Sequence, residues 1–525
     1  MTRIDAAFVI LALVVATTLL ARRFRTPSPV IFAISGLVAG FAWHWFPDLP
    51  AVRMPPDLVL FAFLPPLLTV AAYALPLHSF RRNLMPISLL AVGLVLATIA
   101  VTAVIGHTVA ALPWAAAFVL GAIVAPPDPV AATAVAGKTG LSHRLVVILE
   151  GEGLVNDAIA IVAYGIALEA AATGHFSWSG AAMTLAKAGP LGIGVGLAAG
   201  WATKVLRQRA DSVPLEVAIS LVTPYLAYHV AERTGGSGVL AVVTLGFLLR
   251  HYATSVSGAS ARLAARTVWG AIRFASTSLV FLLLGLLMGQ NIVTRPPWAL
   301  LGAGAAVAGG LIALRMLWMY VVPTVVESLR STKTPQATWS ERTVLGWAGM
   351  RGIVSLALAL ALPFSLGGNS GTRDSIIIIT FAVIFATLVL QGLTLVPLVR
   401  WLRVGDASRD ERDERHARRN ARRAGIVALG RATNDGHIDK GQCQQLAKRI
   451  HEGDIGIASA GLIRRTQEEE HALMAALSAQ RRQLELLRQG GRLSEDLSER
   501  LATELDIDMM GALRETDRLT GVGED

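Results

Sequence analysis

The residues from Leu149 to Gly165 read LEGEGLVNDAIAIVAYG. Glu150, Glu152, Asn156 and Asp157 sit here inside a segment otherwise long and apolar enough to cross a bilayer. A carboxylate at membrane depth is costly, so it is expected to be paired, to face water or to perform a function. With a helical repeat of about 100° per residue, Glu150 and Asp157 fall nearly in line, and Glu152 and Asn156 share a face. The segment therefore carries a polar sector about two turns long. A second carboxylate, Asp128, lies in the string Ala125-Pro126-Pro127-Asp128-Pro129. Proline removes a backbone donor and clashes with the preceding turn, so this string must leave the helix and free some of its carbonyls.

Two carboxylates, an amide oxygen and freed carbonyls form a set of hard oxygen ligands. Such a set suits small hard cations, and the chain has no His/Cys cluster that would suit a transition metal. A carboxyl group in a low-dielectric surrounding resists ionisation, and it holds either a proton or a cation. That competition is the physical basis of proton-coupled antiport, and Asp157 is the candidate for the shared group. Asp128 and Asn156 complete the candidate cation and proton site. Glu152 needs a buried cation, and Arg351 in Gly349-Met350-Arg351-Gly352 is the partner expected for it, in a structural role. Glu150 lies nearer the membrane edge and keeps either a solvated or a functional reading. Arg273, Arg315, Glu216, Lys187 and His229 are further polar groups at or near membrane depth.

These residues have to be positioned by membrane-spanning helices. The chain has 525 residues, 53% hydrophobic and only 16% charged, against about one quarter charged in soluble domains. The shortage of charge ends near Arg403, which divides the chain into a polytopic membrane domain, 1–402, and a helical, cytosolic tail, 403–525, open to a regulatory role. The net charge of +10 comes with Lys and Arg crowded into loops, a topology signal rather than a nucleic-acid signature. The single cysteine, Cys443, permits no internal disulfide. The first apolar run is followed, not preceded, by Arg22 and Arg23, and reads as an uncleaved transmembrane helix.

Thirteen apolar segments are predicted, over 5–22, 29–47, 58–76, 84–111, 114–137, 145–171, 182–206, 214–231, 238–251, 267–290, 298–326, 342–364 and 374–401. Arg315, mid-way along the eleventh, unsettles its boundaries. Basic residues concentrate in alternate loops, which places the N-terminus outside and the tail in the cytoplasm. Pro65-Pro66, the 125–129 string and the 349–352 string are candidate helix breaks. Breaks at 125–129 and 349–352, one in each half, fit an inverted repeat with discontinuous helices at a midplane site. Gly192, Gly196 and Gly200, four apart, predict close helix packing rather than a dinucleotide loop. In the tail, Arg409–Arg423 reads as a solvated charged helix, and Leu473, Leu477, Leu484 and Leu487 as an apolar face for a partner or for self-association.

LEGEGLVNDA, PPDPVAATAV, FLPPLL from Phe63, GMRGIVSLALAL from Gly349 and VLQGLTLVPLV from Val389 together resemble the cation:proton antiporter family, in its bacterial sodium/proton exchanger branch. The resemblance runs over about residues 1–402, and continues more weakly into the tail. It implies a homodimer in the plasma (inner) membrane, a dimerisation part and a moving core, and elevator-like alternating access around two crossing discontinuous helices. It implies a transporter rather than an enzyme, with no cofactor. By position, Asp128 and Asp157 become the cation and proton carboxylates, with sodium as the candidate metal there, and Asn156 the neighbour found in electroneutral members. Glu152 and Arg351 become a stabilising pair. Gly153 stands where the family usually has serine, and Pro127 where many members have threonine, so two hydroxyl ligands are missing. Potassium/proton exchange on the same residues stays open as an alternative to sodium. An intramembrane aspartyl protease dyad at Asp128 and Asp157 is a reading from another class; the Tyr-Asp and Gly-x-Gly-Asp strings that would go with it do not surround these residues.

Overall fold

The computed structural model describes residues 3–23, 28–43, 45, 56–75, 77–128, 141, 143–175, 177–256, 258–294, 298–329, 337–363, 366, 370–404, 407–452, 467–490, 493, 497–498 and 500–509. Among these residues the chain is all-helical, as expected for a backbone that must satisfy its own polar groups in lipid. The helices are α1 (Arg3–Arg23), α2 (Ser28–Trp43), α3 (Pro56–Ala74), α4 (Leu77–Arg82), α5 (Leu84–Ala110, with a π-helical segment at Leu89–Leu94), α6 (Trp114–Val124) and α7 (His143–Thr173). There follow α8 (Trp178–Gln208), α9 (Val213–Arg233), α10 (Gly238–Val256), α11 (Ala259–Thr294), α12 (Trp298–Leu329), α13 (Trp339–Trp347), α14 (Ile353–Leu360) and α15 (Ser370–Trp401). The tail adds α16 (Ala407–Asn434), α17 (Lys440–Glu452), α18 (Gln467–Gln489) and a last helical stretch over 500–509. Among the described residues six helices are long and apolar enough to cross a bilayer unaided, and shorter apolar helices accompany them.

Pro65 and Pro66 do not break α3, contrary to the expectation. Pro66 offers no N–H to the carbonyl of Ala62, and the Tyr225 hydroxyl donates to that oxygen instead (3.4 Å). Thr69 Oγ1 donates to Pro65 O at 2.7 Å, so one more carbonyl beside the prolines is occupied. Arg315 does not interrupt α12 either, which runs unbroken through it.

The membrane helices sort into two sets by packing. One contains α1, α2, α3 and α8–α11; the other contains α5–α7 and α12–α15. The sets meet chiefly where α14 lies against α3 and α15 against α2. Within the first set the closest approach is between α2 and α11. Cβ atoms at Gly36, Gly40, Gly285 or Gly289 would collide with the facing backbone, so glycine is what lets these helices touch. The predicted Gly192, Gly196 and Gly200 packing is present: these residues face Ser237, Ala241 and Leu248 of the α10 region.

The tail has its own hydrophobic core. Leu473, Leu477, Leu484 and Leu487 of α18 are buried against Ala417, Ala421 and Leu429 of α16, Leu446 and Ile450 of α17, and Leu501 and Leu505 of the last stretch. The apolar face predicted for a partner or for self-association is thus covered within the chain.

Candidate functional site

The second set of helices contains two interruptions, and they touch. Helix α6 ends at Val124, and the chain from Ala125 to Asp128 is non-helical, as the prolines require. The other interruption, 348–352, separates α13 from α14. The Asp128 amide donates to the carbonyl of Met350 at 2.7 Å, joining the two irregular segments directly. The Asp128 carboxylate turns to the start of α14, where Oδ2 accepts from the Ile353 amide at 3.3 Å. A helix N-terminus carries unpaired donors and partial positive charge, so it stabilises a carboxylate there. Gly352 makes the approach possible, because a Cβ at that position would overlap the Asp128 carboxylate.

Asp157 projects from α7 to the same place. Asp128 and Asp157 both line a cavity of about 40 Å³ whose wall is completed by Pro126, Pro127, Leu154 and Gly352–Val354. Its opposite wall is the Leu64, Leu67, Leu68 and Ala71 face of α3, so the cavity lies between the two helix sets. Asp157 is buried, and its Oδ1 has no hydrogen-bond partner. A buried carboxylate oxygen without a donor calls for a proton, a cation or water. A water needs about 10–15 Å³ of such cavity volume, so the cavity has room for one small cation and a few waters.

Asn156 is fully buried in α7 and does not line the cavity. The amide orientation that satisfies both its ends donates to Ala91 O (3.1 Å) and Glu152 O (3.2 Å). Ala91 lies in the π-helical segment of α5, a local widening that recurs at functional sites. Asn156 thereby ties the site helix to α5.

The expected ion pair needs correction. Glu152 pairs with Arg315, not with Arg351: Arg315 Nη2 donates to Glu152 Oε2 at 2.7 Å, and Nη1 to Oε1, in a bidentate clasp. The third donor, Arg315 Nε, reaches Leu345 O at 3.1 Å at the end of α13. Arg315 reaches across the second interruption at Gly349, where a Cβ would collide with its Cδ. The geometry explains the choice. A planar guanidinium from α12 can meet both carboxylate oxygens, whereas the Arg351 side chain folds back to donate to Gly349 O at 3.1 Å. The Arg351 amide is held by Thr387 Oγ1 of α15 (3.2 Å), and its Nε has no partner. Arg351 therefore stays in the broken segment as a buried cation supporting it.

The sequence brought Asp128, Asn156, Asp157, Glu152 and Arg351 to attention, and all are buried around the two interruptions. Pro127 lines the cavity; Pro129 lies outside the described residues. Gly153 is buried in α7 but does not line the cavity. Glu150 is only half-buried and away from it. The role of Arg315 was missed, although an arginine in the middle of an apolar helix was the signal that could have found it.

An all-helical membrane fold with two touching helix interruptions and two carboxylates in one buried cavity is that of a secondary transporter. The family profile for the transmembrane sodium/hydrogen exchanger matches residues 9–401, and the chain belongs to that family. It is 34% identical over 410 residues to the Na+/H+ antiporter ApNhaP of Aphanothece halophytica, covering 76% of this chain and 74% of the relative. The uncharacterized Na+/H+ exchanger Rv2287 of Mycobacterium tuberculosis is 29% identical over 533 residues, covering 97% of this chain and 96% of its own, the tail included. The fold is similar to that of the sodium proton antiporter MjNhaP1 of Methanocaldococcus jannaschii, with a TM-score of 0.61 at 20% identity over 77% of this chain and 100% of that one. The chain is a multi-pass membrane transporter that exchanges cations for protons, not an enzyme.

Proposed function

We propose that the chain exchanges sodium for protons through alternate loading of Asp157, with Asp128 as the second cation ligand, by displacement of one helix set against the other. The observation that carries this reading is the cavity: it joins both aspartates to the apolar α3 face of the opposite set. A site at such a boundary changes its access when one set slides past the other, and an apolar wall offers the ion no competing ligand. Helices α5–α7 and α12–α15 would be the moving core. The remaining helices would be the scaffold that dimerises.

Asn156 supports an electroneutral cycle. It is uncharged and held by backbone carbonyls, so Asp157 alone would trade one proton for one cation. The topology that goes with this reading is thirteen crossings as an inverted repeat with the N-terminus outside; a cytoplasmic tail is supported by its contacts to Arg262 and Arg266 in the basic first turns of α11. The plasma (inner) membrane is the expected location.

Potassium is a second reading favoured by one observation. The cavity wall offers two carboxylates and otherwise only apolar side chains, leaving backbone and water to complete a cation's shell. The deciding experiment is proton flux in proteoliposomes against sodium, lithium and potassium gradients at several pH values. Asp157→Asn should abolish cation-dependent proton flux while the protein stays folded. Flux at the wild-type rate in that variant would refute the assignment of Asp157.

A further inference from the structure

The last helical stretch of the tail reaches back to the membrane helices. Asp506, fully buried, accepts from Arg262 near the start of α11, with Nη2 to Oδ1 at 2.7 Å and Nε to Oδ2 at 3.4 Å. It also accepts from Arg481 of α18. One turn along α11, Arg266 donates to Thr503 Oγ1. Ala259, the first residue of α11, is buried in the tail's own hydrophobic core. The same stretch is fastened to α16: Arg418 meets Glu504 at 2.8 Å, and Arg500 meets Glu414.

These contacts lie on a path with two ends. Helix α16 follows α15 after a few residues, and α15 belongs to the set that contains Asp128 and Asp157. Helix α11 belongs to the other set, where it packs along α2. The tail therefore links the two sets a second time, outside the membrane helices. A displacement of one set against the other has to stretch this link or release it.

We propose that the 500–509 stretch is a brake on exchange: docked on Arg262 and Arg266 it holds the two helix sets at one offset, and its release lets them move. This rests on the displacement reading above. The chemistry of the contact suits a releasable link. Asp506 keeps Arg481 as a partner when Arg262 leaves, so undocking does not strand a buried carboxylate, whereas loss of Asp506 would leave arginines uncompensated inside the tail. Arg262 and Arg266 are thus the positions to change, and the tail core survives their loss.

The test uses the full chain in nanodiscs and proteoliposomes, as wild type and as the double variant Arg262→Ala/Arg266→Ala. Amide hydrogen exchange over 500–509 reads docking, and sodium-driven proton flux reads exchange. Faster amide exchange there, with flux raised about fivefold or more, is the expected result, since couplings between sites commonly fall in that range. Undocking with flux unchanged or lowered would refute the brake alone. Unchanged amide exchange would refute the docking contacts as its basis. Wild-type protein with no cation-driven flux would refute the transport reading, and the brake with it. Arg262→Lys, which keeps a charge but loses the two-pronged contact, should lie between wild type and the double variant.

Discussion

Replacing Arg315 by methionine should destabilise the protein by about 3–5 kcal/mol, the usual cost of stripping one partner from a buried ion pair. The structure explains the size. Arg315 supplies two hydrogen bonds to Glu152 and one to Leu345 O, and both charged side chains are almost wholly buried, at 3% and 1% exposed. The methionine leaves a carboxylate in a place water does not reach. Glu152→Gln on the same background removes that stranded charge, so the double variant should recover a large part of the loss. The coupling between the two positions should be about 2 kcal/mol or more. The same cycle run with Arg351→Met should give under about 1 kcal/mol, because the Arg351 guanidinium donates to Gly349 O rather than to Glu152. Equilibrium unfolding in mixed micelles measures all of these variants. Stronger coupling of Glu152 to Arg351 than to Arg315 would refute the pairing. Glu152→Gln by itself should lower stability while leaving the cation affinity of the folded protein near wild type, and a stable variant that has lost binding would reverse the structural role given to Glu152.

Two further outcomes follow from the geometry. Gly352→Ala should push the Asp128 carboxylate off the start of α14 and lower apparent sodium affinity by about tenfold to a hundredfold, with a stable fold; sodium titration of proton flux at fixed pH measures it, and unchanged affinity would mean that Asp128 is not a ligand. Asp508, in the tail, has its carboxyl pushed up to about 6 by burial and by Glu504. The folded tail then binds a proton more tightly than the unfolded chain, so it gains stability as pH falls through 6 toward 4 and loses it as pH rises through that window. Asp508→Asn should accordingly steady the 500–509 stretch at neutral pH by about 1 kcal/mol, after allowance for its half-exposed position, and flatten that pH dependence; hydrogen exchange at pH 7.5 measures the change, and faster exchange would contradict it.

Much of the site could be read in the sequence because its signals are local or chemically expensive. Charged residues in an apolar run mark themselves, so Asp128, Glu152, Asp157 and Arg351 stood out without any knowledge of contacts. The proline string at 125–129 forced the chain out of the helix at that point. Pro65-Pro66 misled for the complementary reason: whether a proline pair breaks a helix depends on who fills the freed carbonyls, and the Tyr225 hydroxyl, which fills that of Ala62, comes from 163 residues away. The tail's leucine face was legible as apolar, but its partner was not, since an amphipathic pattern states that a face must be covered and not by what.

The sequence alone determined that the chain crosses a membrane many times, that it carries titratable groups at membrane depth, and that its polar end is separate in character. These follow from transfer free energies that each segment carries with it. Only the tertiary structure decided that Asp128 lies against the start of α14, that Glu152 takes Arg315 over the expected Arg351, and that Asp506 ties the tail to α11. Each of these is a choice among partners of like chemistry, and what selects between two arginines is which side chain reaches the carboxylate with both donors aligned. That reach is set by how α12 and the interrupted segment cross α7, a property of the packed helices and not of any one of them.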